Sequence, residues 1–322
     1  MHRLLVSILL ISSLAIFSCS NFQHHERLSA AQWEILSYLP LESQFVLFTN
    51  LDALRKSQYW DKFIESTFVL NKNNIWLKDF ENNTGVGIKK GISQFYTTVD
   101  WSGNNSTIIQ FNKNLRRIKN YFNDGAKFKK TFLNNYKIYN FKNNPASNYL
   151  FVNDSLLLIS NNYNYVSSFT KKGNNSLAEN QILMGIIERI PYKNYYWMAE
   201  NKSRYAAELF GKLLKKHTDI PLNKLINSIT GVSLCAEFSD ILELQSNIIC
   251  KSFGDAHLIA ATLKSGISMD LFSEGNKQLR KILNKLKIES SGSGIKLNIS
   301  LNERELLDFK KIAVNNEIIK KL

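Results

Sequence analysis

The stretch from Met1 to Cys19 decides what the rest of this chain has to become. Met1-His2-Arg3 is a short basic start, Leu4 to Phe17 is apolar apart from Ser7, Ser12 and Ser13, and Ser18-Cys19-Ser20 closes the run with small residues. Basic, apolar and small segments in that order are the layout of an exported leader. The apolar run falls short of the ~20 residues a helix needs to cross a bilayer, so export fits better than a membrane span. Residues 1–18 are therefore expected to be a signal peptide, and the folding unit begins at Cys19. Roughly 300 residues remain, enough for one large domain or two smaller ones. A composition 44% hydrophobic and 12% aromatic supplies a core, which excludes disorder for the bulk of the chain.

Ile16-Phe17-Ser18-Cys19 resembles the bacterial lipobox, in which a cysteine after a small residue is diacylated and becomes the new N-terminus. The ending Ser18-Cys19-Ser20-Asn21 is similar to that of Bacteroidetes lipoproteins. The resemblance implies lipidation at Cys19 and the membrane as a partner, because two acyl chains suffice for stable anchoring. Residues 19–29 then read as a polar tether that includes His24-His25-Glu26. No acidic cluster of the kind that resembles a surface-export signal follows Cys19, so the anchor is expected in the bacterial cell envelope, facing the periplasm.

The net charge is +14, and Lys113 to Lys142 holds nine Lys or Arg against the single Asp124. A nucleic-acid partner does not fit an exported chain. Most of the excess reads as the Lys and Asn bias of an AT-rich genome, with attraction to anionic lipid or polysaccharide as the functional alternative. Arg116, Arg117, Lys127, Lys129 and Lys130 are the candidate binding residues on that alternative.

Along the body, Ala30 to Tyr38 is helical and closes on Leu39-Pro40. Phe45 to Asn50 is a β-rich run that passes straight into a helical period at Leu51. A helix from Tyr59 to Leu77 follows, then a turn in Gly85 to Gly91, strands at Ile92–Trp101 and Thr107–Phe111, and a short helix at Leu115–Phe122. Strands at Tyr136–Phe141 and Tyr149–Ser160 and a helix at Tyr163–Thr170 complete the first half. The second half runs through a helix at Ile182–Ile190, a strand at Tyr195–Ala199, a helix at Ser203–Lys216 and a hairpin of Gly231–Phe238 with Ile241–Cys250. Helices at Ala256–Leu263 and Leu279–Leu286 and a strand at Ile295–Leu301 follow. A last helix starts at Glu303, with Asn302 as N-cap and Glu305 three residues on. Both halves read strand, helix, strand, strand, helix, strand, the split β-α-β order of ferredoxin-like units. The expected fold is α+β: two tandem ferredoxin-like repeats with antiparallel sheets and added helices, at residues 30–175 and 176–322. In the hairpin, Cys250 is expected to face the core and Cys235 to face away, which leaves both thiols unpaired.

Leu39-Pro40, the strand Phe45 to Asn50, Leu51-Asp52-Ala53-Leu54 with Ser57, and Tyr136-Lys137-Ile138-Tyr139 followed by Tyr149 to Ser160 resemble a family of uncharacterised exported proteins, a domain of unknown function. The resemblance implies a two-repeat α+β fold and an envelope location, and brings no catalytic residues.

The constellations that could carry chemistry are weak. His24-His25-Glu26 sits in a tether, and His217 and His257 lie in separate helices with no Cys or carboxylate at metal spacing, so no metal or cofactor is expected. Ser290-Ser291-Gly292-Ser293-Gly294 precedes a strand instead of linking a strand to a helix, unlike a nucleophile elbow, and Gly85 to Gly91 precedes a strand, unlike a phosphate loop. Asp52 and Glu200, each just beyond the first strand of its half, are the best carboxylate pair for glycoside hydrolysis, although Asp52 fits better as a first-turn helix residue facing the positive end of the dipole. The leading expectation is a non-catalytic envelope lipoprotein that binds a protein or glycan. The alternatives are a periplasmic hydrolase acting on envelope glycans through Asp52 and Glu200, and a lipid-handling or chaperone module with an apolar cavity.

Overall fold

The computed structural model describes residues 26–64, 75–171, 176–202, 204, 226–273 and 277–308. The expected signal peptide, Cys19, His24, His25, His217, part of the expected Tyr59–Leu77 helix, most of the expected Ser203–Lys216 helix and the end of the expected last helix lie outside those residues.

The strands are β1 Phe45–Asn50, β2 Ile92–Val99, β3 Asn105–Phe111, β4 Phe128–Leu133, β5 Tyr136–Phe141, β6 Asn144–Phe151, β7 Leu156–Ser160, β8 Tyr196–Asn201, β9 Ile229–Phe238, β10 Leu242–Cys250, β11 Lys287–Ser291 and β12 Gly294–Leu301. They form one 12-stranded sheet in the order β11-β12-β10-β9-β8-β1-β2-β3-β7-β6-β5-β4. Every pairing is antiparallel.

The mixed α+β class is as expected, but the strand order is not that of tandem ferredoxin-like units. A split β-α-β unit keeps another strand between the two that its helix connects. Here β1 pairs directly with β2, across a helical connection. The halves also share a sheet instead of building one each, because β1 and β8 pair with Phe48 opposite Trp197 and Val46 opposite Ala199. The physical reason lies in those strands: both are apolar, and left alone each would be an exposed hydrophobic edge prone to pair with another chain. Pairing with each other removes both edges. The edge that remains on the first half is β4, whose Lys129 and Lys130 are the charges that blunt such an edge.

Helices cover both faces over the first half, which is why its strands are apolar on both sides. On one face α1 Ala30–Leu36, α5 Tyr163–Thr170 and α6 Gln181–Glu188 pack over Phe48, Tyr96, Ile108, Leu158 and Trp197. On the other, α2 Leu51–Lys56, α3 Ile75–Thr84 and α4 Leu115–Phe122 enclose an aromatic core around Phe122, whose ring lies 4.9 Å from Phe128, 5.3 Å from Phe151 and 5.5 Å from Tyr139. Over the second half α7 Phe253–Ser273 packs Ala256, Ile259, Ala260 and Leu263 on Val232, Ile248, Ile288 and Ile295, and α8 Lys277–Leu283 follows it.

Asparagines do local work at several helix starts. Asn50, Asn162 and Asn180 each accept a hydrogen bond from the backbone N–H three residues on, at 3.1, 3.1 and 3.0 Å, the geometry that makes Asn a favoured N-cap. Asn302 and Glu305 form the expected reciprocal cap. The Tyr149–Ser160 run is two strands, broken where the Asn153 side chain accepts from the N–H groups of Ser155 and Leu156.

Cys235 and Cys250 are both unpaired and both buried. Cys235 does not face solvent as expected: the sheet is covered on that side too, and Cys235 packs in the core that holds Trp197. Burial pushes both thiols up to about 11. With Cys19 replaced by Ser, Ellman's reagent at pH 8 should leave both thiols untouched in the folded protein and titrate both in concentrated urea. Prompt reaction of a thiol in the folded state would contradict this packing.

Candidate functional site

The two ends of β1 carry the groups with the most distinctive environments. At the Asn50 end, the loop before β8 turns back on the first described residues. Lys193 is 1% exposed. Its ammonium donates to the carbonyl of Glu26 at 2.6 Å, to that of Glu188 at 3.3 Å and to that of Ile190. Glu26 is held from four directions. Besides taking the Lys193 ammonium, its N–H donates to the Pro191 carbonyl at 3.0 Å, and its carboxylate accepts from the Lys193 N–H at 2.5 Å and from the Asn194 amide at 2.9 Å. Gln32 completes the knot: it forms a capping box with Ser29 and donates to the Lys193 carbonyl at 3.1 Å. Burial pushes the Lys193 ammonium down to about 8, against the opposing pull of the Glu26 charge. A cavity of about 380 Å³ opens beside it, lined by Glu26, Arg27, Leu28, Trp33, Glu188 and Lys193.

Next to this clamp, β9 and β10 place Glu237 opposite Glu243. Like charges in that position repel. Burial, and then the charges of Glu26 and Glu243, raise the Glu237 carboxyl above its ordinary value. Glu243 instead accepts a hydrogen bond from the Tyr192 hydroxyl at 2.8 Å.

At the Phe45 end the lining is polar and includes two acids, Glu42 and Asp100. A cavity of about 180 Å³ is bordered by Ser43, Thr98, Asn104, Asn105, Ser106 and Asn162, among others. Asp100 organises its rim, accepting from the Ser102 and Asn104 N–H groups at 2.9 Å each. Among the described residues no group of three or more His, Cys, Asp or Glu side chains is placed to hold a metal ion.

No family model matches the chain, and no curated protein matches it. Among solved structures it is similar to two crystal forms of TP0453. Form I aligns over 84% of this chain and 94% of that one at 11% identity and a TM-score of 0.44. Form IV aligns over 86% and 99% at 8% identity and a TM-score of 0.44.

The structure disperses the sequence candidates. Asp52 is a first-turn residue of α2, 2.5 Å from Arg55 and 2.9 Å from the Asn112 amide. Glu200 is fully buried in β8, opposite Phe45. The two carboxylates therefore sit at opposite ends of β1, separated by five residues of strand or roughly 17 Å, and face no common cleft. Lys127 is taken up by Asp79 at 2.9 Å and the Tyr121 ring at 4.9 Å. Lys130 donates to the Asn123 carbonyl at 2.7 Å, and neighbouring Lys129 points to the other side of β4. Arg116 and Arg117 are exposed on α4. Glu26, expected in the tether, belongs to the body. Its partners lie 167 and 168 residues away in sequence, a separation across which no local periodicity could have signalled the clamp.

Proposed function

We propose that this chain is a lipid-anchored protein of the bacterial cell envelope, diacylated at Cys19, whose body is a non-catalytic binding module for a glycan or protein partner on the periplasmic side. The observation that carries the reading is the placement of two features on β1. Glu26, seven residues after Cys19, is clamped at the Asn50 end, while a polar cavity lined by hydroxyls, amides and the acids Glu42 and Asp100 lies at the Phe45 end. A tether leaving from one end leaves the other free for a partner, and a lining of hydroxyls, amides and two carboxylates suits a ligand rich in hydrogen-bond donors, such as the hydroxyls of a glycan. The hydrolase alternative loses support with the separation of Asp52 and Glu200. The carrier alternative requires an apolar pocket, whereas the larger cavity is rimmed by Arg27, Glu26, Glu188 and Lys193. No helix among the described residues is long and apolar enough to cross a membrane.

We take residues 30–175 and 176–322 as repeats joined back to back at β1 and β8. Support comes from the outward orders β1-β2-β3-β7 and β8-β9-β10-β12, which match strand for strand.

Metabolic labelling with a fatty-acid analogue tests the anchor. The native protein should take label and fractionate with membranes, and Cys19→Ala should lose both. Unlabelled, freely soluble native protein would end the lipoprotein reading.

A further inference from the structure

The loops at the Asn50 end of β1 gather more than the clamp. Asn112 donates its N–H to the Gly91 carbonyl at 3.0 Å and its amide to Asp52, so the ends of β1, β2 and β3 meet there. Arg55 ties the same place together, donating to the carbonyls of Ile88 at 2.6 Å and Ile92 at 2.7 Å. Asn114, just before α4, reaches the Thr84 carbonyl at 3.4 Å. On these loops and the helix ends beside them stand Lys56, Lys90, Lys113, Arg116 and Arg117, all exposed. The neighbouring acids are already matched: Asp52 by Arg55 at 2.5 Å, and Asp154 by Lys119 at 2.6 Å. Glu81, partly buried beside Gly87, stays as an opposing charge on these loops, and Glu26, Glu237 and Glu243 stand across β8 to β10 on the other side of the same end. The result is a positive β1–β3 side of that end.

That end is also where the chain leaves for its tether. Asn50 donates to the Asn194 carbonyl at 2.9 Å, and Asn194 donates to Glu26 at 2.9 Å. From β8 to β3 is three strand spacings, about 14 Å. The residues from Cys19 to Glu26 reach at most ~25 Å even fully extended, so a lipid on Cys19 would keep this end of the sheet within that distance of a bilayer.

We infer that the basic end formed by Lys56, Lys90, Lys113, Arg116 and Arg117 is a docking surface for an anionic lipid bilayer. The orientation rests on the tether reading above; the surface itself is testable without it. Each Lys or Arg held near an anionic membrane strengthens association about fivefold, within the short reach of unscreened charge.

The test uses the chain from Cys19 onwards with Cys19→Ser, so that no acyl chain contributes, and measures flotation with vesicles. Vesicles of 30% phosphatidylglycerol in phosphatidylcholine should bind it, pure phosphatidylcholine vesicles should not, and 0.5 M salt should release it. Neutralising Lys113, Arg116 and Arg117 together to Gln should weaken binding on the order of 100-fold. The same change at Lys251, Lys264 and Lys287, exposed elsewhere, should leave it within about twofold. Equal losses in the two triple variants would assign the effect to net charge and overturn the proposal. So would no loss in the first variant, or tight binding to soluble dextran sulfate with none to vesicles. A failed fatty-acid label with intact vesicle binding would remove the anchor and keep the surface, and the reverse result would keep the anchor and remove the surface.

Discussion

Trp197→Ala should cost about 4 kcal/mol of stability, read as a lower urea midpoint with little change in slope. Trp197 is fully buried, and its ring lies 5.4 Å from that of Phe48, which in turn lies 4.7 Å from Tyr96. These three rings sit on β8, β1 and β2, across the seam where the halves meet. Alanine would leave a hole that α1 and α6 cannot fill without moving, and that cavity adds to the lost burial. Domains of this kind are stable by only 5–15 kcal/mol, so the loss is a large fraction. The indole Nε1 has no hydrogen-bond partner among the described residues, so Trp197→Phe should cost much less, under about 2 kcal/mol. Tyr163→Ala, at a position 55% exposed, should stay within about 0.5 kcal/mol. If Trp197→Ala behaved like Tyr163→Ala, the halves would not depend on that seam.

Local pattern reveals some levels of this molecule and hides others. Phe45 to Asn50 reads as a strand because its apolar residues are β-formers, and Asn50 reads as the switch to helix because its side chain caps the turn that follows. Asn302 with Glu305 is legible for the same reason: the signal and the bond lie within three residues. Strand order is of another kind. Nothing in Phe45–Asn50 says that its second neighbour will be Tyr196–Asn201, since that depends on which apolar edge is left open once every hairpin has closed. β4 is hidden in the sequence because FKKTFL shows the charges of an edge strand, which resemble those of a loop. Alternation in the hairpin puts Cys235 and Cys250 on opposite faces, as they are, but does not say that both faces are covered.

The site was less legible than the fold. Asp52 and Glu200 looked equivalent because each follows a strand, but those strands are antiparallel, so equivalent positions in sequence become opposite ends in space. The basic run of Lys113 to Lys142 looked continuous because charge is read along the chain. Folded, it divides: Lys127 and Lys130 are spent on internal bonds, while Arg116 and Arg117 join Lys56 and Lys90 from other segments.

Lys193→Met should destabilise the protein at pH 7 by about 2–4 kcal/mol and remove a particular pH dependence. Methionine keeps the length of the side chain but leaves the carbonyls of Glu26, Glu188 and Ile190 without their donor, and buried acceptors without donors cost more than the original bonds gained. The same change removes a buried charge, which offsets part of that loss. The ammonium is held down to about 8 by burial, below the ordinary lysine value of ~10.4 that it recovers on unfolding. Between those values the unfolded chain binds the extra proton, so stability rises with pH. The native protein should gain about 1–2 kcal/mol from pH 7 to 9.5 relative to Lys193→Met, measured as the difference in urea midpoints across that range. Buried tyrosines and the two thiols slope the other way at the alkaline end, but they titrate in both proteins and cancel in the difference. Equal pH profiles for the two proteins would mean that the ammonium reaches water and that Glu26 is fixed by its carboxylate bonds alone. A divergence that grows through pH 8 would place the buried charge in the joint between Glu26 and the loop before β8, where its cost is sustained because three carbonyls, drawn from both sides of that joint, require one donor.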